Sequence, residues 1–281
     1  MMESRRIVHI ISSLAVGGAQ RHLLDLLTDP SDCLHQDVIY FRDHDLCEEA
    51  KQLAGHVYHI PMASYWGGVM FPRLVAIIAS GQYDVVHTHL LRADMYGALA
   101  ARLARTPALL ATKHNMEERL EQSFWRCVHR RMARMPDITI AISEAVKAWA
   151  VETAGSPPAK TRVVYYGIDA GRFVGLDQTQ ARTALGVDQN ARVMLCPARL
   201  DPQKNHGMLL RAFEVVLREV PDAVLLISGS RQLGSEQYER DLHALGDILG
   251  VSENVRWIGV QSDIKPLLAA CDVVAMASEW E

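Results

Sequence analysis

Residues 191–228 read ARVMLCPARLDPQKNHGMLLRAFEVVLREVPDAVLLIS. An apolar run over Ala191–Pro197 is followed by a segment with helical periodicity, Gly207–Glu219, and then by a second apolar run, Ala223–Ser228. Short apolar runs that alternate with amphipathic helices predict βαβ units, in which parallel strands are covered by the helices that connect them. This segment therefore predicts an α/β fold built on a parallel sheet.

The same alternation extends along the chain in both directions. Downstream, the pattern predicts the helices Glu236–Leu249 and Ile264–Ala270 and the strands Asn254–Ile258 and Asp272–Ala275. Upstream, it predicts strands over Ile7–Ile11, Asp37–Phe41, Val57–Ile60, Asp84–His87, Ala108–Thr112, Ile138–Ile142 and Arg162–Tyr165, with amphipathic segments such as Ala19–Leu27 between them.

A polar stretch with weak strand pattern, Gly167–Asn190, separates the two series of strands. We place a domain boundary there, between a first domain over residues 1–170 and a second over residues 171–281. The predicted architecture is two Rossmann-like parallel-sheet domains that face a cleft, with the second domain incomplete at its C-terminus.

Bulk composition excludes some classes of protein. The chain has 281 residues, of which 49% are hydrophobic and 22% charged, as is typical of a soluble globular protein. Its net charge of -4 gives no reason to expect nucleic acid as a partner. Its five cysteines show no metal-ligand spacing and are predicted to be buried free thiols in a reducing compartment. The N-terminal apolar run is too short for a signal peptide, and no run reaches the roughly 18 residues of a membrane span, so we predict a cytoplasmic protein.

The first candidate site is the pair Gly17-Gly18, which follows the first strand and opens the first helix. Glycine lets the backbone approach a ligand closely, and a helix N-terminus offers N–H donors to a phosphate or an oxyanion. A tight strand-to-helix turn explains the pair equally well. The dinucleotide fingerprint GxGxxG is absent here.

Histidines form the second candidate site. His87, His89 and His114 lie at or just past the ends of two predicted strands, where the sites of parallel α/β sheets gather. Histidine can act as a general base or a hydrogen-bond donor near neutral pH, although each of the three taken alone is more often structural. No third ligand has suitable spacing for a metal, so none is predicted; Asp43-His44-Asp45 imitates a metal-binding DxD motif but is better explained as a solvated turn.

The third candidate is the loop Pro197–Asn205, which lies between a strand and a helix of the second domain. Arg199 can bind phosphate oxygens with two parallel hydrogen bonds, and Lys204 adds a second positive charge. Asn205 is the predicted N-cap of the following helix. Two cations beside a helix N-terminus predict an anion site, with two solvated surface charges as the alternative.

The segment Phe124–Met135 has a basic face and an apolar stripe. We favour a solvated helix packed on the sheet, and keep docking on the inner face of an anionic membrane as the alternative. The basic residues are Arg126, Arg130, Arg131 and Arg134, and the apolar ones are Trp125, Val128 and Met132.

The last predicted strand, Asp272–Ala275, looks apolar on both faces, which is typical of the middle of a parallel sheet. It is followed by Ser278, Glu279 and Glu281. Because ligand sites lie beyond the carboxyl ends of such strands, these residues are predicted to reach a site.

Taken in order, these motifs resemble the retaining nucleotide-sugar glycosyltransferases of family 4, which have the GT-B fold. The resemblance covers essentially the whole chain, and the order and spacing of the motifs make it specific. The motifs are Gly17-Gly18-Ala19-Gln20, Asp84–His89, Thr112-Lys113-His114, Ile142-Ser143-Glu144, Tyr166-Gly167-Ile168-Asp169, Ala198–Lys204 and Ser278-Glu279-Trp280-Glu281.

The resemblance implies roles for individual residues. His114 and Glu281 would be the catalytic residues: His114 would contact the transferred sugar, and Glu281 would be the first glutamate of the family's E-x7-E motif, near the donor sugar. Gly17 and Gly18, with Gly18 facing the donor phosphate or acceptor, together with Arg199 and Lys204, would bind the donor phosphates. No metal and no cofactor are implied, since the nucleotide sugar is the substrate.

The sequence departs from the family pattern at three places. Gln20 stands where an acidic residue is common, and Asn205 stands where glycine often follows the lysine. The second glutamate of E-x7-E, expected to hold the donor ribose, would lie beyond residue 281. We therefore expect the chain to be a fragment truncated inside this motif.

The function implied is transfer of a sugar, with retention of configuration, from a UDP- or GDP-type donor to a sugar, lipid-linked or other hydroxyl acceptor. Two alternatives remain open. One is a non-catalytic or inactive protein that keeps the fold, and the other is another GT-B enzyme, such as a nucleotide-sugar epimerase or a relative of glycogen phosphorylase.

Overall fold

The computed structural model describes residues 4–28, 33–62, 70–116, 123–229, 236–261 and 263–280, without the side chains of residues 123–126. The chain divides into two compact units, Met1–Gly167 (unit 1) and Ile168–Glu281 (unit 2). This division lies close to the boundary predicted after residue 170. The resemblance also implies that the first domain lies on the acceptor side and the second on the nucleotide-sugar donor side, and both roles stay predictions.

Unit 1 contains a parallel sheet of seven strands in the order β3-β2-β1-β4-β5-β6-β7. The strand order therefore reverses between β1 and β4, the position at which open α/β sheets bind ligands beyond their carboxyl ends. The strands are β1 (Arg5–Ile11), β2 (Leu34–Tyr40), β3 (Val57–His59), β4 (Val85–His89), β5 (Ala108–Lys113), β6 (Ile138–Ala141) and β7 (Thr161–Val163).

Helices cover both faces of this sheet, so its central strands are apolar in consecutive positions. Ile10 and Ile39 pack in one buried cluster, whereas their neighbours Ile11 and Val38 pack in another on the opposite face. The helices of unit 1 are α1 (Gly18–Leu27), α2 (Cys47–Leu53), α3 (Met70–Gly81), α4 (Leu91–Leu103), α5 (Ser123–Met132) and α6 (Glu144–Glu152).

Unit 2 repeats the pattern on a smaller scale, with a parallel sheet in the order β10-β9-β8-β11. Its strands are β8 (Val193–Pro197), β9 (Val224–Ser228), β10 (Val255–Gly259) and β11 (Val273–Val274), and its helices are α7 (Gln178–Ala184), α8 (His206–Glu219), α9 (Glu236–Leu249) and α10 (Lys265–Ala270). Phe213 of α8 is 1% exposed in the cluster on one face, and Leu267 of α10 is 1% exposed in the cluster on the other.

The prediction that Asp272–Ala275 lies in the middle of a sheet is wrong for the described residues. Among the described residues, strand β11 pairs only with β8, at the edge of the sheet, and Val273 and Val274 are 55% and 47% exposed. An ion pair holds this edge, because Arg182 of α7 donates to the Asp272 carboxylate at 2.9 Å. Asp272 also accepts the backbone N–H of Val193 at 2.7 Å, which ties the start of β11 to β8.

Among the described residues, three α-helices begin with a side-chain cap. Ser143 accepts the backbone N–H of Val146 at the start of α6, and Asp177 accepts that of Gln180 at the start of α7. Asn205 accepts the N–H of Met208 at 3.3 Å, which confirms its predicted role as the N-cap of α8. Each such cap satisfies a helix donor that has no partner within the helix.

All five cysteines are free, Cys47 and Cys196 are buried, and Cys127 is exposed, so the predicted burial is wrong for Cys127.

In the described part of the chain, no helix combines the length and the apolar character needed to cross a membrane.

Candidate functional site

The histidines predicted from the sequence lie at the carboxyl edge of the sheet in unit 1, where the strand order reverses. His87 of β4 lies opposite His9 of β1, and His89 lies opposite Thr112 of β5. His114 directly follows β5. His9, His87 and His89 are at most 7% exposed, so the cluster is buried in the sheet.

A chain of hydrogen bonds runs through three of these rings. The Nδ1 atom of His9 lies 3.1 Å from Nε2 of His89, and Nδ1 of His89 lies 3.0 Å from Nε2 of His114. The Nδ1 atom of His114 is hydrogen-bonded to the hydroxyl of Tyr166, whose ring stacks on His22 with centroids 4.0 Å apart. At the other end, Nε2 of His9 lies 2.9 Å from Oε1 of Gln36.

Burial keeps these imidazoles neutral at physiological pH. It lowers the pKa of His9 to about 4 and the pKa of His114 to about 3, because the charged form loses its hydration. The pKa values of His87 and His89 also lie well below 6.5, for the same reason. His114 therefore offers a ligand one donor or one acceptor nitrogen, and no positive charge.

Three of the histidines are close enough to hold one metal ion. Ligand atoms of His9, His87 and His89 all lie within 4.8 Å of one another, so β1 brings the third ligand that spacing along the sequence could not identify. However, two of these rings already bond to each other, and Nε2 of His87 lies 2.7 Å from Oγ1 of Thr112. The present contacts satisfy the cluster without an ion, and we assign no metal to it.

A buried ion pair supports the strand end that carries His114. Lys113 donates to the Asp94 carboxylate at 2.5 Å, and the two side chains are 7% and 9% exposed. Asp94 also accepts the hydroxyl of Thr88 at 2.6 Å. This pair therefore ties helix α4 to β4 and β5, and both of its residues line a small pocket together with His114.

The turn from β4 into α4 is strained. Leu90 follows His89 directly and has a φ of 72°, a backbone conformation that residues other than glycine rarely adopt. Strained backbone of this kind is concentrated at functional sites, where the surrounding structure holds it in place. Leu90 thus marks the same edge of the sheet as the histidines.

Gly17 and Gly18 lie at the start of α1, as predicted. Gly17 is the N-cap, and α1 begins at Gly18. In the described residues, a Cβ added at Gly18 would meet no heavy atom within 4 Å, so the space beside its backbone is open to a ligand. Gln20, where the family often has an acidic residue, is buried and donates to the backbone carbonyl of Ser13 at 3.3 Å.

In unit 2, the predicted anion loop connects β8 to α8. Arg199 is exposed, and Lys204 ends a short 3₁₀ turn directly before the N-cap of α8. The segment that follows β11 is bonded to this loop through Gln203. The side-chain amide of Gln203 donates to the Trp280 carbonyl, and the backbone carbonyl of Gln203 accepts the Glu279 N–H, both at 2.9 Å. The carboxyl ends of β8 and β11 thus bring these two predicted site segments together within unit 2.

Gly229 shapes the same loop and was missed from the sequence. It follows β9, and a Cβ at this position would lie 2.1 Å from the backbone oxygen of Ala198. Only glycine therefore allows β9 to end so close to the residue before Arg199. The signal available in the sequence was a glycine directly after a predicted strand, which indicates a close approach of another backbone.

The replacement Gly229→Ala is expected to lower the free energy of unfolding of unit 2 by about 1–3 kcal/mol, because backbone atoms must shift to admit the methyl group. Urea unfolding measures this change. Gly207→Ala is the matched control, since its Cβ would lie 3.6 Å from Leu245 in ordinary contact and alanine favours a helix. Equal stabilities of the two variants would contradict the argument.

The remaining predicted positions are not part of the contacts described above. Glu281 lies outside the described residues, so its predicted role near the donor sugar stays a prediction. Asp43-His44-Asp45 is an exposed turn, as favoured from the sequence. Arg130 and Arg131 of α5 are exposed, and Arg130 donates to the carbonyl of Glu152 at 3.1 Å, but contact with a membrane stays a prediction.

Comparison with known proteins identifies the class. The profile described as Glycosyltransferase Family 4 matches residues 16–172, and the profile of Glycosyl transferases group 1 matches residues 177–281. HepE from Anabaena was solved in complex with UDP-glucose. It superposes with a TM-score of 0.84 at 25% identity, and the match covers 98% of this chain and 74% of the HepE chain. The fold is that of the GT-B glycosyltransferases. The chain belongs to glycosyltransferase family 4, the family that its motifs predicted.

Two curated relatives indicate the range of this family. The D-inositol 3-phosphate glycosyltransferase of Mycobacterium sp. (strain JLS) is 29% identical over 237 residues, which cover 80% of this chain and 53% of the relative. The UDP-Gal:alpha-D-GlcNAc-diphosphoundecaprenol alpha-1,3-galactosyltransferase of Escherichia coli is 26% identical over 220 residues, 74% of this chain and 55% of the relative. The chain thus spans about half the length of these relatives.

Proposed function

We propose that this protein transfers a sugar from a nucleoside diphosphate sugar to an acceptor hydroxyl, with retention of configuration. The observation that carries the proposal is the loop at the carboxyl end of β8, where Arg199 and Lys204 precede the N-terminus of α8. The relatives support it, since one is named for a UDP-galactose donor and HepE was solved with UDP-glucose.

In this proposal the loop binds the diphosphate of the donor. Arg199 can donate two parallel hydrogen bonds to phosphate oxygens, and Lys204 and the first N–H groups of α8 add positive potential. Negative charge develops on the nucleoside diphosphate as it leaves the sugar, so these groups stabilise the transition state more than the ground state. Positive charge from the protein makes a metal ion unnecessary at this step.

His114 serves a different part of the donor in this proposal. Its pKa of about 3, lowered by burial, leaves it uncharged, which suits contact with a sugar hydroxyl better than contact with a phosphate. Gly18 lies at an open helix N-terminus in the same unit and is proposed to face the donor phosphate or the acceptor. Glu281 is proposed to lie near the donor sugar.

The replacement Arg199→Ala is expected to weaken binding of UDP or GDP at least tenfold, because a charge-assisted contact to phosphate contributes about 1.5–3 kcal/mol. Isothermal titration of each nucleotide into the 281-residue chain measures this change. The comparison of UDP with GDP also identifies the donor base.

Arg192→Ala is the matched control for this experiment. Arg192 is an exposed arginine that directly precedes β8, so it lies at the opposite end of the strand that leads to Arg199. Its replacement is expected to leave nucleotide affinity unchanged. Equal affinities of the wild type and both variants would place the nucleotide elsewhere, and no binding at all would favour a non-catalytic protein that keeps the fold.

Product analysis separates the proposed transfer from other reactions on the same fold. With an isotope-labelled nucleotide sugar, transfer moves the label to an acceptor with the anomeric configuration retained, epimerisation leaves it on the nucleotide, and phosphorolysis yields a labelled sugar phosphate.

The proposed acceptor is a sugar, a lipid-linked sugar or another hydroxyl compound. The proposed location is the cytoplasm, with contact at the inner face of the membrane.

A further inference from the structure

The hydrogen-bond chain through the buried histidines has a fixed direction. Its starting point is Gln36, whose amide nitrogen donates to the backbone carbonyl of Leu26 at 2.9 Å. A carbonyl oxygen can only accept a hydrogen bond, so the nitrogen of the amide must face Leu26 and its oxygen must face His9. The ring nitrogen of His9 that contacts this oxygen, Nε2, must therefore carry the proton.

The direction set at Gln36 passes from ring to ring, because each neutral imidazole carries one proton. With its proton on Nε2, His9 can only accept at Nδ1, so Nε2 of His89 donates to it across 3.1 Å. His89 in turn accepts at Nδ1, so Nε2 of His114 donates across 3.0 Å. His114 is left with an unprotonated Nδ1.

The last bond of the chain agrees with this direction. Tyr166 contacts Nδ1 of His114 through its hydroxyl, and burial raises the pKa of that phenol, so the hydroxyl keeps its proton and donates it. Five side chains thus form one consistent series in which every donor meets an acceptor. The low pKa values of His9 and His114 keep a second proton from entering the series near neutral pH.

We propose that Gln36, acting through two intervening histidines, sets the tautomer of His114. His114 then carries its proton on Nε2 and presents the lone pair of Nδ1 as a hydrogen-bond acceptor. Gln36 lies on β2 and is separated from β5 by β1 and β4, so it is a positioning residue that acts without touching a ligand.

The tautomer decides which groups His114 can bind. A lone pair at Nδ1 accepts a hydrogen bond from a hydroxyl, and the Tyr166 hydroxyl occupies that position here. The opposite tautomer would present an N–H, which favours a carbonyl or phosphate oxygen. A hydroxyl-bearing ligand such as a sugar can therefore take the place of Tyr166, whereas an oxyanion is disfavoured. This selectivity rests on the proposed function, but the tautomer itself does not.

The replacement Gln36→Lys tests the proposal, because lysine has donors and no acceptor. It can donate to both Leu26 and Nε2 of His9, which forces the proton of His9 onto Nδ1 and reverses every later bond in the series. Long-range ¹H–¹⁵N correlation spectra of the histidine rings, recorded on the labelled chain without any ligand, report which nitrogen of each ring is protonated. We expect the His114 proton on Nε2 in the wild type and on Nδ1 in the variant.

Two further variants keep the test decisive. Gln36→Met removes both contacts of the amide while preserving its approximate size, and we expect His114 then to show a mixture of the two tautomers. Thr112→Val is the matched control, because Thr112 contacts His87, which is not part of the series, and the His114 tautomer should not change. If Gln36→Lys does not fold, Gln36→Met decides alone.

The proposal is overturned if wild-type His114 carries its proton on Nδ1, or if His114 keeps the proton on Nε2 in every folded Gln36 variant. A change in Thr112→Val equal to that in the Gln36 variants would also overturn it. Because these spectra need no donor or acceptor, their result is independent of whether the protein transfers a sugar. Failure of the proposed function would instead appear as absent nucleotide binding or turnover in a chain with the expected tautomer.

Discussion

Replacing Asp94 with alanine is expected to lower the free energy of unfolding of unit 1 by about 3–5 kcal/mol, because it leaves a buried ammonium group without its partner. Lys113 and Asp94 are 7% and 9% exposed, and their charged atoms lie 2.5 Å apart. Without the carboxylate, the Lys113 side chain must remain as an uncompensated charge or draw water into the core. The hydroxyl of Thr88 also loses its acceptor.

Urea denaturation of unit 1 measures this loss, and two further variants show its origin. Glu48→Ala breaks the Glu48–Lys51 pair, whose side chains are 80% and 53% exposed, and should change the free energy by less than about 1 kcal/mol. Asp94→Ala combined with Lys113→Met removes both charges and should recover part of the loss. If Asp94→Ala were as mild as Glu48→Ala, the pair would not be buried in solution.

Much of the fold could be predicted because it depends on local patterns. The apolar runs that become β1, β4 and β8 lie between amphipathic segments, and that alternation indicates parallel strands without any knowledge of their neighbours. The anion loop was equally accessible, since Arg199, Lys204 and Asn205 lie within a few residues of each other. Cap chemistry at Asn205 depends only on the next turn of helix, and it was predicted correctly.

The histidine series could not be predicted, because it depends on strand order. His9 meets His87 and His89 only because β1 lies beside β4, and the alternation of strands and helices is compatible with several orders. Gln36 is further removed, since its role requires the placement of β2 as well. The Asp94–Lys113 pair has the same origin, because no spacing in the sequence links the start of α4 to the end of β5.

The position of β11 illustrates a different limit. Its apolar composition predicts burial on both faces, but composition does not report whether neighbours are present on both sides. In the described residues β11 pairs with β8 alone, so Val273 and Val274 remain about half exposed. Periodicity therefore predicts the kind of element more securely than its place in the sheet.

Acidification from pH 7 to pH 5 is expected to destabilise unit 1 strongly, and this is the second large effect. Burial lowers the pKa of His9 and His129 to about 4 and that of His114 to about 3, from 6.5 for an unperturbed histidine. Between pH 6.5 and these lower values, each of the three takes up a proton only when the chain unfolds. Linkage then requires the free energy of unfolding to fall as the pH falls, and to be level above pH 7.

The expected magnitude is about 2 kcal/mol for each of these three histidines between pH 7 and pH 5, which together approaches the net stability of a typical domain. His87 and His89 add to it in the same direction. Urea denaturation over this pH range measures the slope of the free energy of unfolding against pH, which counts the protons taken up, and hydrogen exchange assigns the loss to unit 1.

His129→Gln should reduce this slope by one proton, because glutamine cannot be protonated and can still donate to the Ala154 carbonyl that His129 contacts. A free energy that stays level down to pH 5 would mean that the fold accommodates charged imidazoles, which would also remove the single-proton condition on which the direction of the His9–His89–His114 series depends.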